Sequence, residues 1–140
     1  KCSTRCDDYV LFEGKHCFII LNRYPYVNGH LMIIPERHLG GFEELTALER
    51  TEIFDLLDVA VKVLKEAMQP DGFNVGMNLG KAAGAGIAEH VHMHVIPRWE
   101  GDTNFMTVVG NVRVVPEDLA VTAAKLIPLF EKYTRGGEKR

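Results

Sequence analysis

The sequence predicts an α+β domain: a five-stranded, mostly antiparallel sheet with two helices. Three observations carry that expectation. Short runs rich in β-branched and aromatic residues, separated by turn clusters, fill the first third of the chain. A long amphipathic stretch with a clear start signal follows them. Two more strand-like runs and a second amphipathic stretch then complete the order strand–strand–strand–helix–strand–strand–helix.

Residues 9–12 and 16–22 read as two strands joined by the tight turn Glu13-Gly14-Lys15. Cys17-Phe18-Ile19-Ile20-Leu21 is apolar throughout, as a central strand covered on both faces would be. The cluster Pro25-Tyr26-Val27-Asn28-Gly29 is a turn, and residues 30–34 read as a third strand closed by Pro35. Thr46-Ala47-Leu48-Glu49 is a capping box, in which the threonine hydroxyl accepts a free backbone N–H and the glutamate reaches back. Ile53, Leu57, Ala60, Val61, Leu64 and Met68 follow as one helical stripe, ended by Pro70, Asp71 and Gly72. Residues 73–78 alternate, with Phe73, Val75 and Met77 apolar, and predict a fourth strand; residues 90–97 predict a fifth. A second helix is expected to start near Pro116, with Glu117 and Asp118 favouring its positive end. Its buried stripe is Leu119, Ala123, Leu126, Ile127 and Phe130, and Pro128 should kink or end it.

The chain of 140 residues is expected to be one domain, with its core over about residues 9–133 and a disordered tail at 134–140. Lys and Arg total 16 against 19 Asp and Glu, a net charge of −3, which argues against a nucleic-acid surface but not against local nucleotide binding. No apolar run approaches the ~20 residues of a membrane helix, and no leader pattern is legible at the start as given, which opens on Lys1. Of the three cysteines, Cys17 lies in an apolar run and reads as a small core residue. Cys2 and Cys6 suit free thiols, a disulfide or half a zinc site alike. An odd count without a framework fits a reducing cytoplasm.

The chemistry concentrates in His90-Val91-His92-Met93-His94-Val95. On a strand, the three histidines share one face, roughly 6.6 Å apart, and Val91, Met93 and Val95 share the other. Three aligned imidazoles contribute little to packing, but they suit holding an anion or moving a proton near neutral pH. Immediately before them, Gly80-Lys81-Ala82-Ala83-Gly84-Ala85-Gly86 can offer backbone amides to an anion, with Gly84 and Gly86 as candidate phosphate contacts. It is not a Walker loop, and taken alone such a glycine-rich connection is more often just a turn; the same-face histidines beside it are what favour phosphate. Two strand histidines can also ligate zinc, yet a catalytic zinc takes a third protein ligand. Glu89 and Asp102 have no evident place beside the histidines. Metal-free nucleophilic catalysis is therefore the preferred chemistry: a neutral imidazole attacks phosphorus, a neighbour fixes its tautomer, and a donor stabilises the charge that develops.

His90-Val91-His92-Met93-His94-Val95-Ile96 matches the His-φ-His-φ-His-φ-φ signature of the histidine triad (HIT) superfamily, φ being hydrophobic. Asn22-Arg23-Tyr24-Pro25, Asn28-Gly29-His30-Leu31 and Pro35-Glu36-Arg37-His38 resemble that family's nucleotide-binding first half. Asn78-Leu79-Gly80 and the glycine loop resemble its phosphate-binding approach. Pro97-Arg98-Trp99-Glu100-Gly101-Asp102-Thr103-Asn104-Phe105 is similar to the branch holding fragile-histidine-triad hydrolases and bacterial diadenosine tetraphosphate phosphorylases.

The resemblance implies a nucleotidyl hydrolase or transferase that cleaves the α-phosphate linkage of adenine nucleotides such as diadenosine polyphosphates, without a required cofactor. It implies His92 as the nucleophile, His90 as its orienting partner and His94 at the phosphate and leaving group. His30 would support the triad, Asn22 would hold the ribose, and Asn78 would contact the α-phosphate or bridging oxygen. It also implies a homodimer whose sheet continues across both subunits, with the aromatic segment after Arg98 against the partner subunit or the second nucleoside, or with Trp99 packed in the core. Two positions depart from the pattern. Ile87 stands where many relatives carry Ser or Thr, and Cys2-x3-Cys6 does not fit the zinc-binding Cys-x-x-Cys of some relatives, for which His38 would be the partner. A non-catalytic nucleotide-binding module and a zinc-dependent hydrolase are the competing readings. Trapped nucleotide on His92 would separate the first from an enzyme, and sensitivity to a chelator would identify the second.

Overall fold

The computed structural model describes residues 9–25, 27–83, 90–102 and 117–135. Five strands form one sheet: β1 (Val10–Glu13), β2 (Cys17–Leu21), β3 (Leu31–Pro35), β4 (Gly72–Gly76) and β5 (Met93–Arg98). Their spatial order is β1-β2-β3-β5-β4, and every neighbouring pair is antiparallel. Two helices, α1 (Ala47–Met68) and α2 (Leu119–Arg135), complete the α+β architecture that the strand and helix order predicts.

Both helices pack on one face of the sheet. Ile19, Leu21, Leu31, Ile33, Met93 and Val95 from the strands meet Ile53, Leu56, Ala60, Val63 and Leu64 of α1 and Ala123, Leu126 and Phe130 of α2. β2 is buried along its whole length, as its unbroken apolar run requires. Its other side chains, Phe18 and Ile20, join Ile34 in a second cluster on the opposite face. Register places Ile20, Met32, His94 and Gly76 in one row across β2, β3, β5 and β4, on the face away from the helices.

Several boundaries and faces differ from the sequence expectation. The α1 stripe runs through Leu56 and Val63, while Leu57 and Val61 are half-buried, because a helix this rich in Leu and Val offers two overlapping apolar faces. α1 ends where Gln69 takes the left-handed conformation at φ 50. α2 does not end at Pro128: that residue and Ala124, whose carbonyl loses its N–H partner, both lie on the exposed side, where water can replace the missing donor. Ile127, expected in the α2 stripe, is exposed as well. The helix runs on to Arg135, beyond the start of the tail expected at 134. Val75 faces the helix side, yet it is exposed because β4 is the sheet edge. Cys2, Cys6, Gly84, Gly86, Ile87, Glu89 and Pro116 lie outside the described residues. Among the described residues, no helix is long and apolar enough to cross a membrane.

Candidate active site

The histidines converge, although not as three residues of one strand. β5 begins at Met93, so only His94 belongs to the sheet ladder, which corrects the expected strand at 90–97. Val91, Met93 and Val95 are buried in the core, but burial alternates only from Met93 onward, because His90 and His92 are buried as well. The backbone N–H of Val91 turns away from the ladder and donates to the carbonyl of Leu39 at 2.7 Å. The His90 ring is also drawn out of the row, with its Nε2 donating to the Pro35 carbonyl at 2.9 Å. His38 lies against it, at 4.7 Å between ring centroids.

His92 and His94 remain together, their rings edge to face at 4.6 Å. His92 is 6% exposed, and its Nδ1 lies 2.8 Å from the His90 carbonyl. A carbonyl only accepts, so Nδ1 carries the proton and the lone pair of the neutral ring is on Nε2. The fully buried His30 contributes from the residue preceding β3. Its Nε2 is 2.9 Å from Nδ1 of His94, and its Nδ1 is 3.2 Å from Nδ2 of Asn22.

This second chain has a direction. Asn22 Oδ1 accepts the backbone N–H of Tyr24 at 3.0 Å, so the amide nitrogen faces His30 and donates to it. His30 must then accept at Nδ1 and donate from Nε2 to His94. His94 in turn keeps its own proton on Nε2. Burial holds His30 down to about 4, with His94 and His92 adding to the effect. Burial, then His92, also lowers His94. Both rings are neutral near pH 7. Burial likewise lowers His90, and its donation to Pro35 opposes that only in part.

A cavity of about 290 Å³ opens over β4 and β5. Asn74, Val75, Gly76, Met77, Asn78, His94 and Ile96 line it. Gly76 sits directly opposite His94, and a Cβ there would meet nothing within 4 Å. The missing side chain is what leaves room beside the imidazole, a role that sequence alternation alone does not reveal. Asn78, expected near phosphate, lies in this wall together with His94. His92 is not among the lining residues. Gly80 adopts φ 81 and starts the short turn Lys81–Ala83 that leads towards the glycine loop.

Asn22, expected at ribose, makes one hydrogen bond at each end of its amide, with His30 and with Tyr24. Asp102 pairs with Arg98 at 2.5 and 2.6 Å and accepts the Trp99 N–H. Arg98 also donates to Asn74 in the cavity wall at 2.7 Å. Among the described residues, no group of three or more His, Cys, Asp or Glu gathers as a metal site, and the pair His38–His90 offers fewer donors than zinc takes.

The fold and these oriented imidazoles define a histidine triad protein. The family model described as HIT domain matches residues 3–101, and the chain belongs to the HIT family. It is 47% identical over 113 residues to the AP-4-A phosphorylase of Mycobacterium tuberculosis (strain ATCC 25618 / H37Rv), covering 81% of this chain and 58% of that protein. The chain thus spans little more than half the length of that relative. It is 28% identical over 129 residues to the bis(5'-adenosyl)-triphosphatase of Dictyostelium discoideum, covering 88% and 86%. Among solved structures, a hypothetical histidine triad nucleotide-binding protein from Sulfolobus tokodaii strain7 superposes with a TM-score of 0.75 at 27% identity, covering 91% of this chain and 86% of that one.

Proposed function

We propose that this protein is a nucleotidyl transferase that cleaves diadenosine polyphosphates at the α-phosphate, with inorganic phosphate or water as the acceptor. The observation that carries the reading is the pairing of opposite roles on adjacent rings. His92 presents a lone pair on Nε2, and His94, 4.6 Å away between centroids, presents a proton on Nε2. A nucleophile and a donor are what displacement at phosphorus needs. His92 Nε2 attacks the α-phosphorus as the bond to the leaving nucleotide's oxygen breaks. His94 places its N–H on that oxygen. The acceptor then attacks the same phosphorus and gives its proton to Nε2 of His94, replacing the one lost to the leaving oxygen, while the P–N bond breaks and its electron pair returns to Nε2 of a neutral His92.

Similarity to an AP-4-A phosphorylase and to a bis(5'-adenosyl)-triphosphatase supports the substrate class. The higher identity to the phosphorylase favours phosphate as acceptor. The proposal includes a homodimer formed through β4, an edge strand whose Val75 is exposed and whose outer backbone groups have no ladder partner among the described strands. The test is a panel of diadenosine polyphosphates with and without inorganic phosphate, read by product mass. ADP from diadenosine tetraphosphate only when phosphate is present supports phosphorolysis, and AMP with ATP in its absence supports hydrolysis. No turnover, with nucleotide bound but never attached to His92, refutes the enzyme.

A further inference from the structure

The mechanism leaves one buried charge unused. Glu49, in the first turn of α1, is 3% exposed, far from where a carboxylate normally sits. Capping accounts for part of its position, since its Oε2 accepts the N–H and hydroxyl of Thr46 at 2.8 and 2.9 Å. Capping does not account for Arg37. That guanidinium grips both carboxylate oxygens, Nε to Oε1 and Nη2 to Oε2, each at 2.7 Å, and Nη2 also reaches the Glu44 carbonyl at 3.1 Å. A two-point fork fixes direction as well as distance.

Arg37 lies in the segment 35–39, which holds the first histidine and its neighbour. Pro35 accepts from the His90 ring, His38 packs on that ring, and Leu39 accepts from the Val91 backbone. The carbonyl of His90 then accepts from Nδ1 of His92. The contacts form one line: Glu49, Arg37, segment 35–39, His90, His92. We infer that the Glu49–Arg37 fork is a positioning device for the nucleophile, holding the segment that aims His92 and fixes its tautomer. Both are positioning residues and neither touches substrate. This inference rests on the proposed role of His92. It adds that the aim of that ring is set from the start of α1, through backbone carbonyls.

The test uses the full chain and the variants Glu49→Gln, which keeps the acceptor for Thr46, Arg37→Met and Arg37→Lys. Val63→Ala, a core change in the middle of α1, serves as a stability control. The expected result for Glu49→Gln and Arg37→Met is a fall in kcat of about 10- to 100-fold, the cost of a small misplacement of a reacting group. KM stays within about threefold, because substrate contacts are untouched. Arg37→Lys, with charge but no fork, falls between. Val63→Ala lowers Tm while leaving kcat in place. Imidazole 15N spectra of the free protein supply a readout independent of turnover: Glu49→Gln and Arg37→Met should lose the defined Nδ1–H signal of His92. If kcat tracks Tm across all four variants, or the His92 signal is unchanged, the positioning role is overturned. If wild-type protein turns over no nucleotide but the His92 signal still depends on the fork, the catalytic reading fails and the positioning device stands.

Discussion

Two hydrogen-bonded arms meet at the paired rings, and they are built from different materials. The arm ending at His94 runs through side chains, from Asn22 to His30 to His94. The arm ending at His92 runs through backbone, from the carbonyls of residues 35–39 to His90, and from the His90 carbonyl to His92. A carbonyl cannot titrate or reverse, so the backbone arm leaves the neutral His92 ring a single tautomer. An imidazole relay can do both. The donor side is therefore the side that chemistry can tune and that pH can break.

The largest effect is expected at the end of the backbone arm. His92→Ala should lose at least ~10³-fold in rate while still binding nucleotide, because it removes the proposed covalent route. Stopped-flow turnover together with equilibrium nucleotide binding checks both halves, and undiminished turnover would refute the mechanism.

Asn22→Asp tests the side-chain arm by reversing it. A carboxylate accepts from Nδ1 of His30, which obliges Nε2 to accept from His94 and strips the proton from the outer nitrogen of His94. A loss of about 10²-fold is expected, the scale of general acid catalysis. It should shrink for substrates whose leaving group needs no proton. An equal loss for every leaving group would mean that Asn22 acts otherwise.

Stability should lose the contributions of the buried histidines and of the buried carboxylate in different pH windows. The folded value for His30 is about 4 against an ordinary 6.5, so the folded state resists protonation that the unfolded chain accepts. That contribution is fully present above pH 6.5, falls as pH drops towards 4, and amounts to on the order of 3 kcal/mol. His90 and His94 act with the same sign. Glu49, lowered to about 2 chiefly by Arg37, loses its contribution only in a lower window, from its ordinary 4.5 down towards 2. Denaturant titrations across pH should show the two windows separately, and His30→Gln should flatten only the upper one. The smallest effect belongs to the cavity. Gly76→Val points its side chain into open space beside His94, so KM should rise by several-fold with Tm unchanged. Unchanged KM would place the substrate elsewhere.

Much of this was legible in the residues. Three histidines alternating with buried Val91, Met93 and Val95 mark the site, and His30 next to a strand marks its support. The position of β5 was less legible, because alternation reports which side chains are buried and not which backbone groups pair. His90 and Val91 are both buried, and they bond to residues 35–39, not to the ladder. The Arg37–Glu49 fork was hidden for a similar reason: the capping box already explains Glu49 locally, and nothing local indicates a partner twelve positions earlier. The role of Gly76 is invisible without its neighbour across the sheet.

The opposed roles of the two rings can be read directly from imidazole 15N spectra of the wild-type protein at neutral pH, with each histidine assigned. The expected result is a bare Nε2 on His92 with its proton on Nδ1, and a protonated Nε2 on His94. A proton on Nε2 of His92, or a bare Nε2 on His94, would contradict the assignment of nucleophile and donor.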